Sequence, residues 1–271
     1  MFSAMFATDT ANVFVFLHIP KTGGSSFRFI LENSFGAAHC HTNHTRKPVF
    51  SKSDLAFVMR FFPRLRSIAG HNLVDPPGLE APDPFYMTFL REPVSRVISH
   101  YQDSVLRGNN RLSFEESLMK IGTMENLAVK LMAGSRDLEK AKRFLAQCGF
   151  VGLTEKFDLS LHVLRRLSPY RLNLNYRRKV VARDYRIRDA ILADDRLIRL
   201  ARERNQLDLE LYEYGIKEVF PRLCRKAGLD PDAPAESFDR YRHELKPRYL
   251  LNRLYNQVFR QVYRRRNRTA G

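Results

Sequence analysis

The sequence of 271 residues is 44% apolar and carries 46 Lys and Arg against 29 Asp and Glu, a formal net charge of +17. That length and apolar content allow a full hydrophobic core, and no apolar run approaches the ~20 residues of a membrane span. Three cysteines, Cys40, Cys148 and Cys224, are odd in number, widely spaced and without a Cys-x-x-Cys pair, so they point to neither a disulfide framework nor a zinc site.

The first residues, Met1-Phe-Ser-Ala-Met-Phe-Ala, lack the basic and long apolar regions of a signal peptide. The apolar run Val13-Phe-Val-Phe-Leu reads as a strand over 13–18, and residues 25–35 read as a helix. Between them stands His18-Ile-Pro-Lys-Thr-Gly-Gly-Ser-Ser26. The Lys21 ammonium, the hydroxyls of Thr22, Ser25 and Ser26, and the backbone N–H groups left uncovered at Gly23 and Gly24 suit a phosphate or sulfate at a helix N-terminus. Glycine there lets the backbone approach the ligand and frees the turn. In the nucleotide loop Gly-x-x-x-x-Gly-Lys-[Ser/Thr] the lysine follows the glycines, whereas Lys21 precedes them, which disfavours an ATPase or kinase.

His39, His41 and His44 cluster around Cys40 and read as a polar surface loop rather than a metal site, since no second ligand group completes them. A helix over 52–62 follows, then a strand over 66–71 that ends at His71. Imidazole titrates near the working pH, which makes His71 the candidate general base; His18, His100 and the Glu92 carboxylate remain alternatives. The next strand, 85–90, runs into Arg91, and Pro93 suits the first position of a helix over 94–107. Val94, Val97, Ile98, Tyr101 and Val105 form its core-facing stripe, while Ser95 and Ser99 share another face. Arg91 offers a bidentate fork for phosphate, and Ser99 lies about two turns along, within reach of the same ligand.

Residues 113–147 look helical, with a capping box at Ser113-x-x-Glu116. A strand over 149–153 leads to a helix over 155–167 with Thr154 as its N-cap. The segment Leu172-Asn-Leu-Asn-Tyr-Arg-Arg-Lys is a basic connection, lying over a ligand or solvated. A helical run covers 187–226, and the tail from about 240 to 271 reads either as a solvated basic helix with a frayed terminus or as a contact for an acidic polysaccharide or a membrane surface. No recognised nucleic-acid motif accompanies that basic region.

Strands alternating with helices predict an α/β fold: a P-loop-like three-layer sandwich in which helices flank a central parallel sheet. With no linker, low-complexity tract or repeat, the chain reads as one domain, 1–271, with helical insertions. Ligands of such sheets sit beyond the carboxyl ends of the strands, where Lys21, His71 and Arg91 all fall.

Pro20-Lys-Thr-Gly-Gly-Ser-Ser26 resembles the donor loop of the sulfotransferases, and Arg91-x-Pro-x-x-x-x-x-Ser99 resembles their second motif. The chain is identified as a member of that family, in the carbohydrate branch that includes heparan sulfate 2-O-sulfotransferase and related bacterial enzymes. Looser similarity extends over 12–227, through 150–161 and 205–214. The resemblance implies 3′-phosphoadenosine 5′-phosphosulfate (PAPS) as co-substrate and adenosine 3′,5′-bisphosphate (PAP) as product, with no metal. It implies that Lys21, Thr22, Gly23, Gly24, Ser25, Ser26, Arg91 and Ser99 bind the donor. His71 and Lys21 are then the catalytic pair, and the acceptor is a hydroxyl of a carbohydrate or glycoconjugate. In the heparan sulfate enzyme the base lies in His-Gly-His, and here only the second histidine of Ala69-Gly70-His71 is matched. The family's animal Golgi members carry a membrane anchor, and the chain, without one, is expected to be a cytoplasmic bacterial protein. The net charge suits an anionic donor and glycan. The alternatives are a P-loop-like kinase and a basic protein that binds nucleic acid or acidic glycan.

Overall fold

Val13–Leu17, all five buried, form the central strand β1 of a sheet whose other strands are β2 (His39–His41), β3 (Ser67–Gly70), β4 (Pro84–Leu90) and β5 (Phe150–Leu153). A computed structural model of the chain describes residues 12–120, 125–176, 185–238 and 247–269. The five strands are parallel in the order β2-β3-β1-β4-β5. Near-continuous apolar strands with both faces covered are what a parallel sheet under two helical layers requires. From β1 the chain crosses to the edge strand β2, comes back to β3 beside β1, and then passes to β4 and β5 on the other side. The carboxyl end of β1 is therefore the switch point of the sheet, flanked by the ends of β3 and β4.

The helices are α1 (Gly24–Phe35), α2 (Lys52–Phe61), α3 (Pro93–Leu106), α4 (Phe114–Met119), α5 (Leu127–Ala133), α6 (Leu138–Gln147), α7 (Phe157–Leu167), α8 (Arg186–Leu192), α9 (Asp195–Arg204), α10 (Gln206–Tyr214), α11 (Phe220–Lys226) and α12 (Pro247–Thr269). The α/β expectation holds, and β1, the loop and α1 give the strand–loop–helix of P-loop-like proteins. An aromatic core lies under that unit: Phe16 meets Phe27 edge-on at 4.6 Å, and Phe27 packs on Phe89 at 5.1 Å. Val94, Val97 and Ile98 of α3 face a second cluster with Phe114, Leu118, Ile191 and Ala201 of α4, α8 and α9. Beneath it Arg96, 2% exposed, pairs with Asp208 at 3.7 Å, and Asp208 caps α5 by accepting from Ala128 and Val129 N–H.

Four local expectations change. His39-Cys40-His41 is a buried strand, not a surface loop, because α12 covers its outer edge: Asn256 Oδ1 accepts from His41 N–H at 3.0 Å and its Nδ2 donates to His39 O at 2.9 Å. The basic tail is correspondingly not wholly solvated, since Asn252, Asn256, Phe259 and Tyr263 of α12 are buried. The run 187–226 is divided at Ala193-Asp194 and Asn205, with a π-helical turn, Gly215–Val219, before α11. Thr154 does not cap α7, which starts three residues later; its hydroxyl donates instead to Leu90 O at 2.9 Å and ties β5 to β4. The capping box at Ser113 and Glu116 is present, and Pro93 opens α3 as expected. Leu174 and Tyr176 of the basic connection are buried, while its residues 177–179 lie outside the described residues, as do 1–11, 121–124 of the helical insertion and 240–246 of the tail.

Candidate active site

The loop after β1 turns on two left-handed residues, Lys21 at φ 69° and Gly23, the N-cap of α1, at φ 78°. A non-glycine residue at positive φ is strained and needs outside support, which Arg91 gives: its Nη1 donates to Lys21 O at 3.1 Å. The N–H groups of Gly24 and Ser25, in the first turn of α1, have no partner within the helix and carry the positive end of its dipole. Gly24 is required for a reason the sequence did not suggest. A Cβ there falls 2.0 Å from the His18 ring, which is packed beneath the loop. Thr22 is turned inward, 1% exposed, with its hydroxyl donating to Ile19 O at 2.9 Å, so only its backbone faces a ligand.

Lys21, Gly23, Gly24, Ser25, Ser26, His71, Arg91 and Ser99 all line one open cleft of about 960 Å³ beyond the ends of β1, β3 and β4. Of the expected site residues Thr22 alone is left out of its wall. Glu92 accepts from the N–H groups of Val94 and Ser95 and so caps α3, leaving Arg91 to point into the cleft. Along α3 the four-residue ladder Ser95, Ser99, Asp103 and Arg107 presents one face to the same space. Asp103 pairs with Lys21 at 3.5 Å. Burial lowers the Lys21 pKa, and the Asp103 carboxylate opposes that and holds the ammonium charged.

His71 follows β3, its N–H held by Asn43 Oδ1 at 2.9 Å and its Nδ1 set 2.6 Å from His18 O. A carbonyl only accepts, so Nδ1 carries the proton and the neutral ring presents the Nε2 lone pair. Burial lowers the His71 pKa, the hydrogen bond to His18 O opposes it, and the Arg28 charge adds to the lowering, so the ring is unprotonated at neutral pH. Among the other candidates for the base, the His18 ring is 3% exposed and tilted by 36° against that of His71 with centroids 3.9 Å apart, and Glu92 is occupied as a cap. His100 lines the cleft and its pKa is also lowered, by burial and then by the Arg96 and Lys21 charges.

Sequence reasoning passed over Asp103, Arg107 and Arg188, all in the cleft wall, and named Tyr176 only within the basic connection that either lies over a ligand or is solvated. The first two continue the Ser95–Ser99 ladder and were open to the same spacing argument. Neither Tyr176 nor Arg188 follows from that spacing; both arrive through tertiary contacts, Tyr176 edge-on to Phe157 at 5.0 Å and Arg188 through its N–H to Gln102 Oε1 at 3.2 Å. Among the described residues no group of three or more His, Cys, Asp or Glu is placed to hold a metal ion, and no helix is long and apolar enough to cross a membrane.

The family model described as Sulfotransferase family matches residues 4–132, which contain the loop, His71, Arg91 and Ser99. No curated protein is similar enough to count as a relative. Among solved structures, a sulfotransferase from Alicyclobacillus acidocaldarius is 16% identical, with 93% of this chain and 98% of that one covered and a TM-score of 0.38, too distant to carry an argument about the site. Over residues 4–132, just under half of its length, the chain is similar to the sulfotransferase family.

Proposed function

We propose that this protein is a PAPS-dependent sulfotransferase that moves a sulfuryl group to a hydroxyl of a carbohydrate or glycoconjugate. The family match carries sulfuryl transfer in general. What supports the finer reading is the meeting of an anion loop, a clamped arginine and a neutral, oriented histidine in one cleft. Arg91 and Ser99 hold the 3′-phosphate of the donor, and the first-turn amides of α1 with Ser25 and Ser26 hold its 5′-phosphosulfate. His71 Nε2 takes the proton of the acceptor hydroxyl as its oxygen bonds to sulfur. The bond from sulfur to the 5′-phosphate oxygen breaks, and PAP leaves with the electron pair. Lys21 neutralises the charge that grows on that oxygen, an interaction strongest at the transition state.

Lys21 and the loop amides supply the positive field, so the reaction proceeds without a metal. Arg107, Arg188 and His100 around the rest of the cleft favour an anionic acceptor. The protein acts in the cytoplasm, where the free thiols of Cys40, Cys148 and Cys224 stay reduced. Transfer of labelled sulfate from PAPS to a panel of hydroxylated glycans, with and without EDTA, tests the reading. EDTA-insensitive labelling of a glycan is expected. Labelling from ATP and Mg²⁺ but none from PAPS would reassign the site to a kinase.

A further inference from the structure

Helix α12 is used by the core on one face only. Asn252, Asn256, Phe259 and Tyr263 are buried against β2, α1 and α2, whereas Leu250, Leu251, Leu254, Val258 and Val262 are 47%, 50%, 60%, 44% and 38% exposed. At about 100° per residue these five aliphatic side chains form one outward stripe roughly 120° wide and about 18 Å long. Arg253, Arg260 and Arg264 border it on one side, Arg248 and Arg266 on the other, and the helix contains no Asp or Glu. Isolated exposed leucines are ordinary, but an apolar stripe with one polar residue, Gln261, inside it and a cationic row on either side is not.

The shape and the charge together select the occupant. The stripe lies on the convex side of one helix, which suits a plane better than it suits a peptide or a groove. A second copy docked stripe to stripe would set arginine rows against each other with no carboxylate on the helix to pair them. We propose that α12 is an interfacial helix that lays Leu250, Leu254 and Val258 into the surface of an anionic bilayer, with its arginine rows at the lipid phosphates. The helix thereby holds the enzyme on a membrane face without spanning it. This binding is independent of the chemistry in the cleft.

Sedimentation of the full chain with vesicles of phosphatidylcholine mixed with phosphatidylglycerol, and with vesicles of phosphatidylcholine alone, tests the proposal. The expected result is binding to the anionic vesicles, weakened by salt, and little to the neutral ones. Replacing two stripe residues, Leu254→Gln with Val258→Gln, is expected to weaken binding roughly 100-fold, with an unchanged unfolding temperature because both side chains are exposed. Replacing Arg248→Gln with Arg253→Gln is expected to weaken it by roughly 30-fold. Failure to bind the anionic vesicles, or equal binding by the Leu254/Val258 variant, overturns the proposal. So does a dimer in solution that this variant breaks, which would make the stripe a contact between copies. Binding to a DNA oligonucleotide that displaces the vesicles and ignores the aliphatic replacements would reduce the helix to a basic patch.

Discussion

Acid should unfold this protein earlier than its carboxylates alone would dictate. His18, His39 and His41 are 3%, 0% and 7% exposed. Burial first, and then the Arg28 charge for His39 and His41 and the His71 ring for His18, keep them neutral: His39 is pushed down to about 3 and the other two well below their usual value. Between a pH of about 6.5 and these depressed values the unfolded chain binds protons that the folded chain does not. Stability is therefore full above about pH 6.5 and falls below it by ~1.4 kcal/mol per pH unit for each histidine. At a pH of about 5 that is ~2 kcal/mol each and ~6 kcal/mol for the three, against a typical total of ~5–15 kcal/mol. Asp208, whose carboxyl is raised by burial, opposes the trend, whereas His44, lowered to about 4 by burial and the Arg260 charge, adds to it. Urea unfolding at about pH 7.5 and about pH 5 reads the difference directly, and His39→Gln should remove ~2 kcal/mol of it. Equal stability at the two pH values, or an unchanged slope in His39→Gln, would refute the assignment of neutral buried imidazoles.

Replacing Lys21 by Ala should lower kcat by roughly 10²–10³-fold with little change in acceptor KM, measured by sulfate transfer. His71→Ala should cost roughly 10²–10⁴-fold. In the wild type kcat/KM should stay flat as pH falls to about 6.5 and decline only beneath it, since burial lowers the pKa of the base; an acid limb centred above 6.5 would count against His71. Asn256→Ala should destabilise the fold by ~1–3 kcal/mol in urea unfolding, because it strips partners from the buried backbone of His39 and His41.

The site was legible where a strand of continuous apolar residues ends in a charged or ionisable one. Val13–Leu17 ends near Lys21, Ser67–Gly70 at His71 and Pro84–Leu90 at Arg91, and parallel pairing puts those three ends side by side. β2 was illegible because its residues are polar. Neutral imidazoles make it a core strand, His39 through Ser67 Oγ at 3.0 Å and His41 through Arg28 Nη1 at 2.8 Å. The buried face of α12 was hidden in the same way, by Asn252 and Asn256, whose amides serve a strand edge more than two hundred residues away in sequence. The inward turn of Thr22 follows from the left-handed backbone at Lys21, which composition does not reveal.

The central claim is that the cleft at the switch point binds the sulfate donor through Arg91. The most direct measurement is the thermal unfolding midpoint in phosphate-free buffer, with and without PAP, for the wild type and Arg91→Ala. A ligand at a hundred times its Kd adds about 2.7 kcal/mol, which for a chain of this size raises the midpoint by roughly 5–10 °C. The account predicts that shift in the wild type and none in Arg91→Ala. No shift in the wild type with PAP, with stabilisation by ATP and Mg²⁺ in its place, would contradict it.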